Sequence, residues 1–292
     1  MNRRRFLALS ATCLISPRAA RASGTWRGIA LGADAVIHLS GPSAKINQAF
    51  ASLPALLNEV EDEFSLYRPT SALSRLNQSG RLAPSPHFAK ICQISDQLHR
   101  KTGGSFDPTV QPLWKALAKG GDLAIARRAI GWDRVTFADE IRLDRGQALT
   151  FNGIAQGFAT DLLRRHLQDL GFAVGLVNIG EFAALGGPHP VGIADPVAGV
   201  LAQVRLTNTA MAVSSPRATL IAGEPHILHP KGLPPLWSTV AVEADSAAVA
   251  DGLSTALVFA RREEILKIRQ AIGGIGRIYG VDLSGNLEGF LS

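Results

Sequence analysis

Two stretches of this chain join a helix to a strand across a short stop, and they constrain its fold more than any other feature. From Gly157, Leu162, Leu163, Leu167 and Leu170 recur at helical spacing and end at Gly171, with an apolar strand, Ala173 to Ile179, directly behind. Towards the C-terminus a helix over about 246–260 and another over Glu263 to Ala271 precede a strand from Ile275 to Leu283. A doubly wound chain would repeat this alternation throughout, yet residues 182–242 break instead into short strands separated by turns. The pattern predicts an α+β (mixed α/β) fold of two intimately packed halves, each a helix set on a mixed sheet. A ligand site is expected between the halves.

The N-terminal part adds a strand over Leu31 to Leu39 and a helix marked by Ile46, Phe50, Leu53, Leu57, Val60 and Phe64, with Pro54 as an expected kink. Phe88, Ile91, Ile94 and Leu98 mark a second helix, stopped by Gly103-Gly104. A short helix over Leu123 to Ile130 and a strand or hairpin over Val135 to Leu143 follow.

The net charge of +6 favours a polyanionic partner until it is located. The 292 residues carry 30 Lys plus Arg against 24 Asp plus Glu. Five of those arginines, at 3, 4, 5, 18 and 21, fall in residues 1–22, which contain no acid, and without them 25 basic side chains face 24 acidic ones. The excess belongs to the N-terminus, so nucleic acid is not expected as a partner. Arg3-Arg4-x-Phe6-Leu7, a mildly apolar run from Ala8 to Ile15 and Ala20-Arg21-Ala22 read as a twin-arginine export signal with its cleavage site. That run falls well short of the roughly 20 residues needed to span a bilayer, and no later stretch reaches that length, so no transmembrane segment is expected in the mature chain. Cys13 would leave with the leader (a lipid anchor there is the alternative), and Cys92 alone cannot form an internal disulfide. The organisation expected is a leader over 1–22 and a single domain over 23–292, located in the periplasm.

Three segments carry candidate chemistry. Gly153-Ile154-Ala155-Gln156-Gly157 leads into the strong helix, where free backbone N–H groups suit phosphate oxygens, although a plain strand-to-helix turn would look the same. Asp251 and Thr255 stand four apart on one helix face, a hard-oxygen pair suited to Mg²⁺, or else Asp251 is merely an acid favoured near a helix N-terminus. His226 is a candidate for taking a proton from a hydroxyl. Phe106 and Tyr67, each beside polar residues, offer faces for a planar ring system, although packing within their loops would look the same.

Taken in order, Leu31-Gly32-Ala33, Ser65-Leu66-Tyr67, Gly104-Ser105-Phe106-Asp107-Pro108-Thr109, Gly153-Ile154-Ala155-Gln156-Gly157, Val177-Asn178-Ile179-Gly180, Met211-Ala212-Val213-Ser214-Ser215, His226-Ile227-Leu228 and Ala250-Asp251-Gly252-Leu253-Ser254-Thr255-Ala256 resemble the FAD:protein FMN transferase (ApbE) family over nearly all of residues 30–290. The resemblance implies an exported, Mg²⁺-dependent enzyme. It would take FAD, release AMP and attach FMN to a Thr or Ser of a periplasmic or membrane-bound flavoprotein. By the same resemblance Leu31, Tyr67, Ser105, Phe106, Asp107, Gln156 and Leu228 fall at FAD-contacting positions. The Gly153 carbonyl, Asp251, Ser254 and Thr255 fall at the metal, and His226 and Asp251 at catalytic positions.

Several matching positions differ from the family pattern. Thr150 stands where an acid is usual and Gln156 where Lys or Glu is. Gly180-Glu181-Phe182 replaces Gly-Gly-Asp, Ser214-Ser215-Pro216 replaces a Thr-Ser-Gly-like turn, and His229-Pro230 replaces Asp-Pro. A lost carboxylate on the flavin removes a charged hydrogen bond worth about 1.5–3 kcal/mol. Glu181 is the candidate to replace it. Transfer, FAD binding without transfer, and hydrolysis of FAD to FMN and AMP are the alternatives that these residues leave open.

Overall fold

The structure, a computed structural model, describes residues 22–290. The export-signal residues, with Arg3, Arg4, Arg5 and Cys13, lie outside them, except that Ala22 is the first residue of β1. Strands β1 (Ala22–Ala30) and β2 (Ala33–Gly41) form a hairpin in register from Ala22↔Gly41 to Ala30↔Ala33. Its two-residue turn is Leu31-Gly32, with φ of 49° and 80°. Both angles suit the turn whose twist matches paired strands, but Leu is an uncommon residue there. Leu31 therefore opens the hairpin turn rather than the strand expected from it.

Helix α1 (Ser43–Phe64) runs through Pro54 and buries Ile46, Ala49, Leu53, Leu57, Val60 and Phe64 at three- and four-residue intervals. Ser71 and Ser85 cap α2 (Ala72–Ser79) and α3 (Pro86–Lys101) by accepting from the N–H groups of Ser74 and Phe88. After the small helices α4 (Gln111–Lys119) and α5 (Leu123–Arg128), a hairpin at 136–142 leads to α6 (Ala155–Asp169). Then come β3 (Gly175–Asn178), β4 (Phe182–Leu185), β5 (His189–Asp195), β6 (Gly199–Leu206), β7 (Ala210–Ser214) and β8 (Thr239–Ala244). Helices α7 (Ala247–Leu257) and α8 (Arg262–Ala271) and strands β9 (Ile275–Val281) and β10 (Leu287–Phe290) complete the described residues.

Eight strands form one sheet in the order β1-β2-β3-β4-β7-β8-β9-β10. Each of its ladders is antiparallel. The α+β class is as expected, and the sheet portions of the two halves are one continuous antiparallel sheet. The reason is visible in β8, where all six residues, Thr-Val-Ala-Val-Glu-Ala, are buried. Val240 and Val242 face the main core with α1, α3, α6 and α7, while Ala241 faces a second core with Val191, Ile193, Val204 and Leu206 of the β5–β6 ribbon. A strand covered on both faces reads as a continuous apolar run. Glu243, the acid in that run, is held by Thr209 and Arg277.

Candidate active site

Asp251 lies in the second turn of α7 and is 4% exposed. The helix already has its N-terminal acceptors. Ser246 accepts from Val249 N–H (3.3 Å), and Asp161 of α6 accepts from Ser246 Oγ (2.6 Å) and from the N–H groups of Ala247 (2.9 Å) and Ala248 (3.0 Å). A capping role for Asp251 is thereby excluded. Its Oδ2 accepts instead from Gly157 N–H at 2.9 Å, across from one helix to the other. Gly157 is the third residue of α6, not a residue of the preceding turn, so its N–H is committed to Asp251 rather than presented to a phosphate. Only glycine fits there, because a Cβ would stand 2.3 Å from the Ala247 carbonyl oxygen and 2.7 Å from Asp251 Cβ.

A chain of oxygens surrounds that carboxylate. Ser254 Oγ donates to the Asp251 carbonyl (2.9 Å) and meets Ser214 Oγ at 2.8 Å. Ser214 Oγ is 3.3 Å from Thr255 Oγ1, which donates to the Gly153 carbonyl at 3.5 Å. The structure thus brings Gly153, Asp251, Ser254 and Thr255 together, with Ser214 from the end of β7 between them. Gly153 leaves the room for this, since a Cβ would lie 3.0 Å from Thr255 Oγ1.

Glu181, in the turn between β3 and β4, is 6% exposed and accepts from Val213 N–H at 3.1 Å, one residue before Ser214. Burial, and then the neighbouring Asp251 charge, push its carboxyl well above the usual range. Burial likewise pushes Asp251 up to about 7, against the Gly157 N–H, which favours the carboxylate. Among the described residues no basic side chain forms a salt bridge with either acid. Two interacting buried carboxylates without a counter-charge, beside hydroxyl and carbonyl oxygens, fit a hard divalent cation. No group of three or more His, Cys, Asp and Glu side chains forms a metal cluster among the described residues, so such a site would rely on mixed oxygen donors.

The remaining residues fall around this centre in three sets. Phe106 is buried with α3 and α7, its ring 3.4 Å from where a Gly252 Cβ would be. Asp107 directs Oδ1 to Thr109 N–H (2.8 Å) and Thr109 Oγ1 (2.5 Å), and Oδ2 to Trp132 N–H (3.4 Å), so its carboxylate holds the loop that carries Phe106. Ser105 Oγ meets His229 Nε2 at 3.4 Å. Since His229 Nδ1 accepts from Lys231 N–H (3.0 Å), Nε2 carries the proton and Ser105 accepts it. Burial and the Lys231 charge lower the His229 pKa and keep the ring neutral.

His226 is half-buried, and its Nδ1 lies 2.9 Å from the Pro216 carbonyl and 3.2 Å from that of Thr219. Carbonyls only accept, so Nδ1 carries the hydrogen and Nε2 is the proton-accepting nitrogen. Burial lowers its pKa. Pro216 is two residues from Ser214, which ties His226 to the Asp251 cluster through one short loop. Leu228 is half-buried between His226 and His229. The Gln156 amide lies against the backbone of Gly180, beside Glu181.

Leu31 and Tyr67 form a separate set. Leu31 N–H donates to Glu61 Oε1 (3.3 Å), Glu61 pairs with Arg68, and the N–H groups of Tyr67 and Arg68 donate to Ser65 Oγ. Tyr67 is 68% exposed. Two open clefts, of ≈ 630 Å³ beside α4 and α5 and ≈ 460 Å³ beside α2, contain none of the site residues predicted from sequence. Sequence reading found the Asp251–Thr255 face of α7 but missed the parts of Asp161 and Ser214. A mid-helix Asp and a strand-end Ser give no local signal of partners 85 and 40 residues away.

Comparison with known proteins gives one answer. Residues 31–278 match the ApbE family. The chain is 26% identical over 266 residues to the FAD:protein FMN transferase of Haemophilus influenzae, covering 78% of this chain and 77% of that one. It is 27% identical over 282 residues to the protein of that name from Vibrio cholerae, covering 80% and 84%. Among solved structures, the flavin transferase ApbE of Vibrio cholerae superposes with a TM-score of 0.81 at 23% identity, covering 94% of this chain and 98% of that one. The apo flavinyl transferase ApbE of Pseudomonas stutzeri gives 0.79 at 24% identity, covering 94% and 97%.

Proposed function

Because the chain belongs to the ApbE family, we propose that it is an FAD:protein FMN transferase, using a divalent cation to move FMN from FAD to a Thr or Ser hydroxyl of an acceptor flavoprotein. The observation that carries the reading is the cluster of Asp251, Thr255, Ser254 and the Gly153 carbonyl, built around a buried carboxyl that pairs with no basic side chain among the described residues.

Gly153, Asp251, Ser254 and Thr255 would hold Mg²⁺. When bound, the cation neutralises charge developing on the phosphoryl oxygens. In the reaction the acceptor oxygen forms a bond to the FMN phosphorus, the pyrophosphate P–O bond to the AMP half breaks, and AMP leaves. His226 Nε2 takes the hydroxyl proton, for which its Nδ1–H contacts and lowered pKa prepare it. Phe106, Tyr67, Ser105, Gln156, Leu31 and Leu228 line the flavin path, while the Asp107 side chain keeps the Phe106 loop in place. Thr150 offers no charge to the ligand, and the amide of Gln156 offers only neutral hydrogen bonds, so orientation of FAD falls more heavily on aromatic and backbone contacts.

Residues 1–22 would direct the folded protein by the twin-arginine route to the periplasm, where the acceptor, soluble or membrane-bound, is found. No helix among the described residues is long and apolar enough to cross a membrane. Incubation with FAD, Mg²⁺ and a candidate acceptor should give AMP and a fluorescent protein band. FAD binding with neither product, across several acceptors, would defeat the proposal, and AMP with free FMN but no band would reassign the chain as a hydrolase.

A further inference from the structure

Glu181 has no part in the cation set just described, yet it occupies the same buried pocket of oxygens. Its Oε2 is held by Val213 N–H at 3.1 Å, and the next residue, Ser214, touches both Ser254 (2.8 Å) and Thr255 (3.3 Å). Its backbone lies against the first turn of α6, where Thr160 Oγ1 bridges the carbonyls of Gln156 (2.8 Å) and Glu181 (3.5 Å). One residue after Gln156, Gly157 N–H holds Asp251. The two carboxyls are close enough to interact, and each accepts from one backbone N–H of a segment that reaches those hydroxyls. An ionised carboxylate has about four acceptor positions, so that one bond leaves most of its capacity unused. Two buried acids this close hold protons unless a counter-ion takes their place.

We propose that Glu181 is a second carboxylate for the divalent cation, giving this chain a site that holds Mg²⁺ or Mn²⁺ before FAD arrives. The inference rests on the reading of Asp251 and Thr255 as the cation site. A site with one carboxylate depends on substrate phosphates for the rest of its negative charge, whereas two carboxylates balance a divalent ion by themselves. Gln at 181 would keep the acceptor for Val213 N–H and remove only the charge.

Calorimetric titration of Mn²⁺ into the purified protein, freed of metal and FAD, tests this. The wild type should bind one ion. Glu181→Gln should weaken binding by roughly ten- to a hundredfold, and Asp251→Asn by at least as much. Glu243→Gln, which changes a buried acid paired with Arg277 elsewhere in the sheet, should leave binding unchanged. Melting without metal separates ligation from a structural role. Without metal, Glu181→Gln should melt no lower than wild type, and it should gain less from added Mn²⁺. A variant that melts lower yet gains as much from Mn²⁺ would show Glu181 to be structural and overturn the inference. So would Mn²⁺ binding that depends on Asp251 but not on Glu181, or that needs FAD, and these outcomes leave the transferase reading standing. No Mn²⁺ uptake with or without FAD would remove the cation site itself.

Discussion

The contact between α6 and α7 that places Asp251 gives a prediction whose size can be worked from distances. In Gly157→Ala the new methyl group would stand 2.3 Å from the Ala247 oxygen, 2.6 Å from the Ala247 carbonyl carbon and 2.7 Å from Asp251 Cβ. Two of these atoms are backbone, so the helices must separate by about 1 Å to reach ordinary contact. Overpacking of this kind costs about 1–3 kcal/mol, of which about 0.5–1 kcal/mol is offset by replacing glycine inside a helix. The same separation would stretch the 2.9 Å bond from Gly157 N–H to Asp251 beyond hydrogen-bond length. That loses a bond to a charged group, worth about 1.5–3 kcal/mol. The net loss is roughly 2–4 kcal/mol, or a fall in melting temperature of about 5–15 °C for a domain of this size. Differential scanning calorimetry measures it, with Mn²⁺ titration as a second readout expected to show weakened binding. Gly273→Ala, where a Cβ meets nothing within 4 Å, is the control and should change stability by less than about 0.5 kcal/mol. A Gly157→Ala protein that melts like wild type and binds Mn²⁺ as well would refute the close-packing account.

Three further outcomes follow from the same geometry. Asp251 folds with its pKa at about 7 against an ordinary 3.8, so the metal-free folded state binds more protons than the unfolded chain between those values. Its contribution to metal-free stability should fall as pH rises through that window, and added Mg²⁺ at pH 7.5 should restore melting temperature; restoration equal in Asp251→Asn would contradict this. His226, lowered from 6.5 by burial, should stay neutral at pH 7 and put the acid limb of the transfer rate below pH 6.5. A limb above that value, or one that persists in His226→Ala, would count against its role as base. Tyr67→Ala should weaken FAD binding by several-fold, the worth of one aromatic contact of about 0.5–1.5 kcal/mol. Because the side chain is 68% exposed, melting should hardly move, and fluorescence titration and a thermal scan of one sample check both.

How much of this was legible in the sequence differed by element. Helix α1 showed its buried face directly, because one side faces the core and the other faces water. The strand pair β1–β2 was half visible. β2 alternates clearly, but β1 lies between the leader and the strand expected from Leu31 and was not read as a strand, and Leu31 opens the turn with an angle no propensity would assign to leucine. Strand β8 could not reveal its neighbours, since it is buried on both faces and carries no period. In the site, Asp251 and Thr255 were found because four-residue spacing on a helix is a local property. Glu181, Ser214 and Asp161 act through contacts 20 to 90 residues distant, which no spacing encodes. At 153–157 a phosphate-facing loop and a plain turn could not be told apart, because a free N–H at a helix start looks the same in sequence whether a ligand or, as for Gly157, another helix takes it.

Buried Asp251 is proposed to serve covalent transfer of FMN. Mass spectrometry of an acceptor protein after incubation with the enzyme, FAD and Mg²⁺, with AMP counted in the same reaction, tests it most directly. One FMN phosphoester per acceptor with an equal amount of AMP, both lost in Asp251→Asn, is the predicted result. Acceptor left unmodified while FAD is bound intact, or labelling that survives Asp251→Asn undiminished, would contradict it.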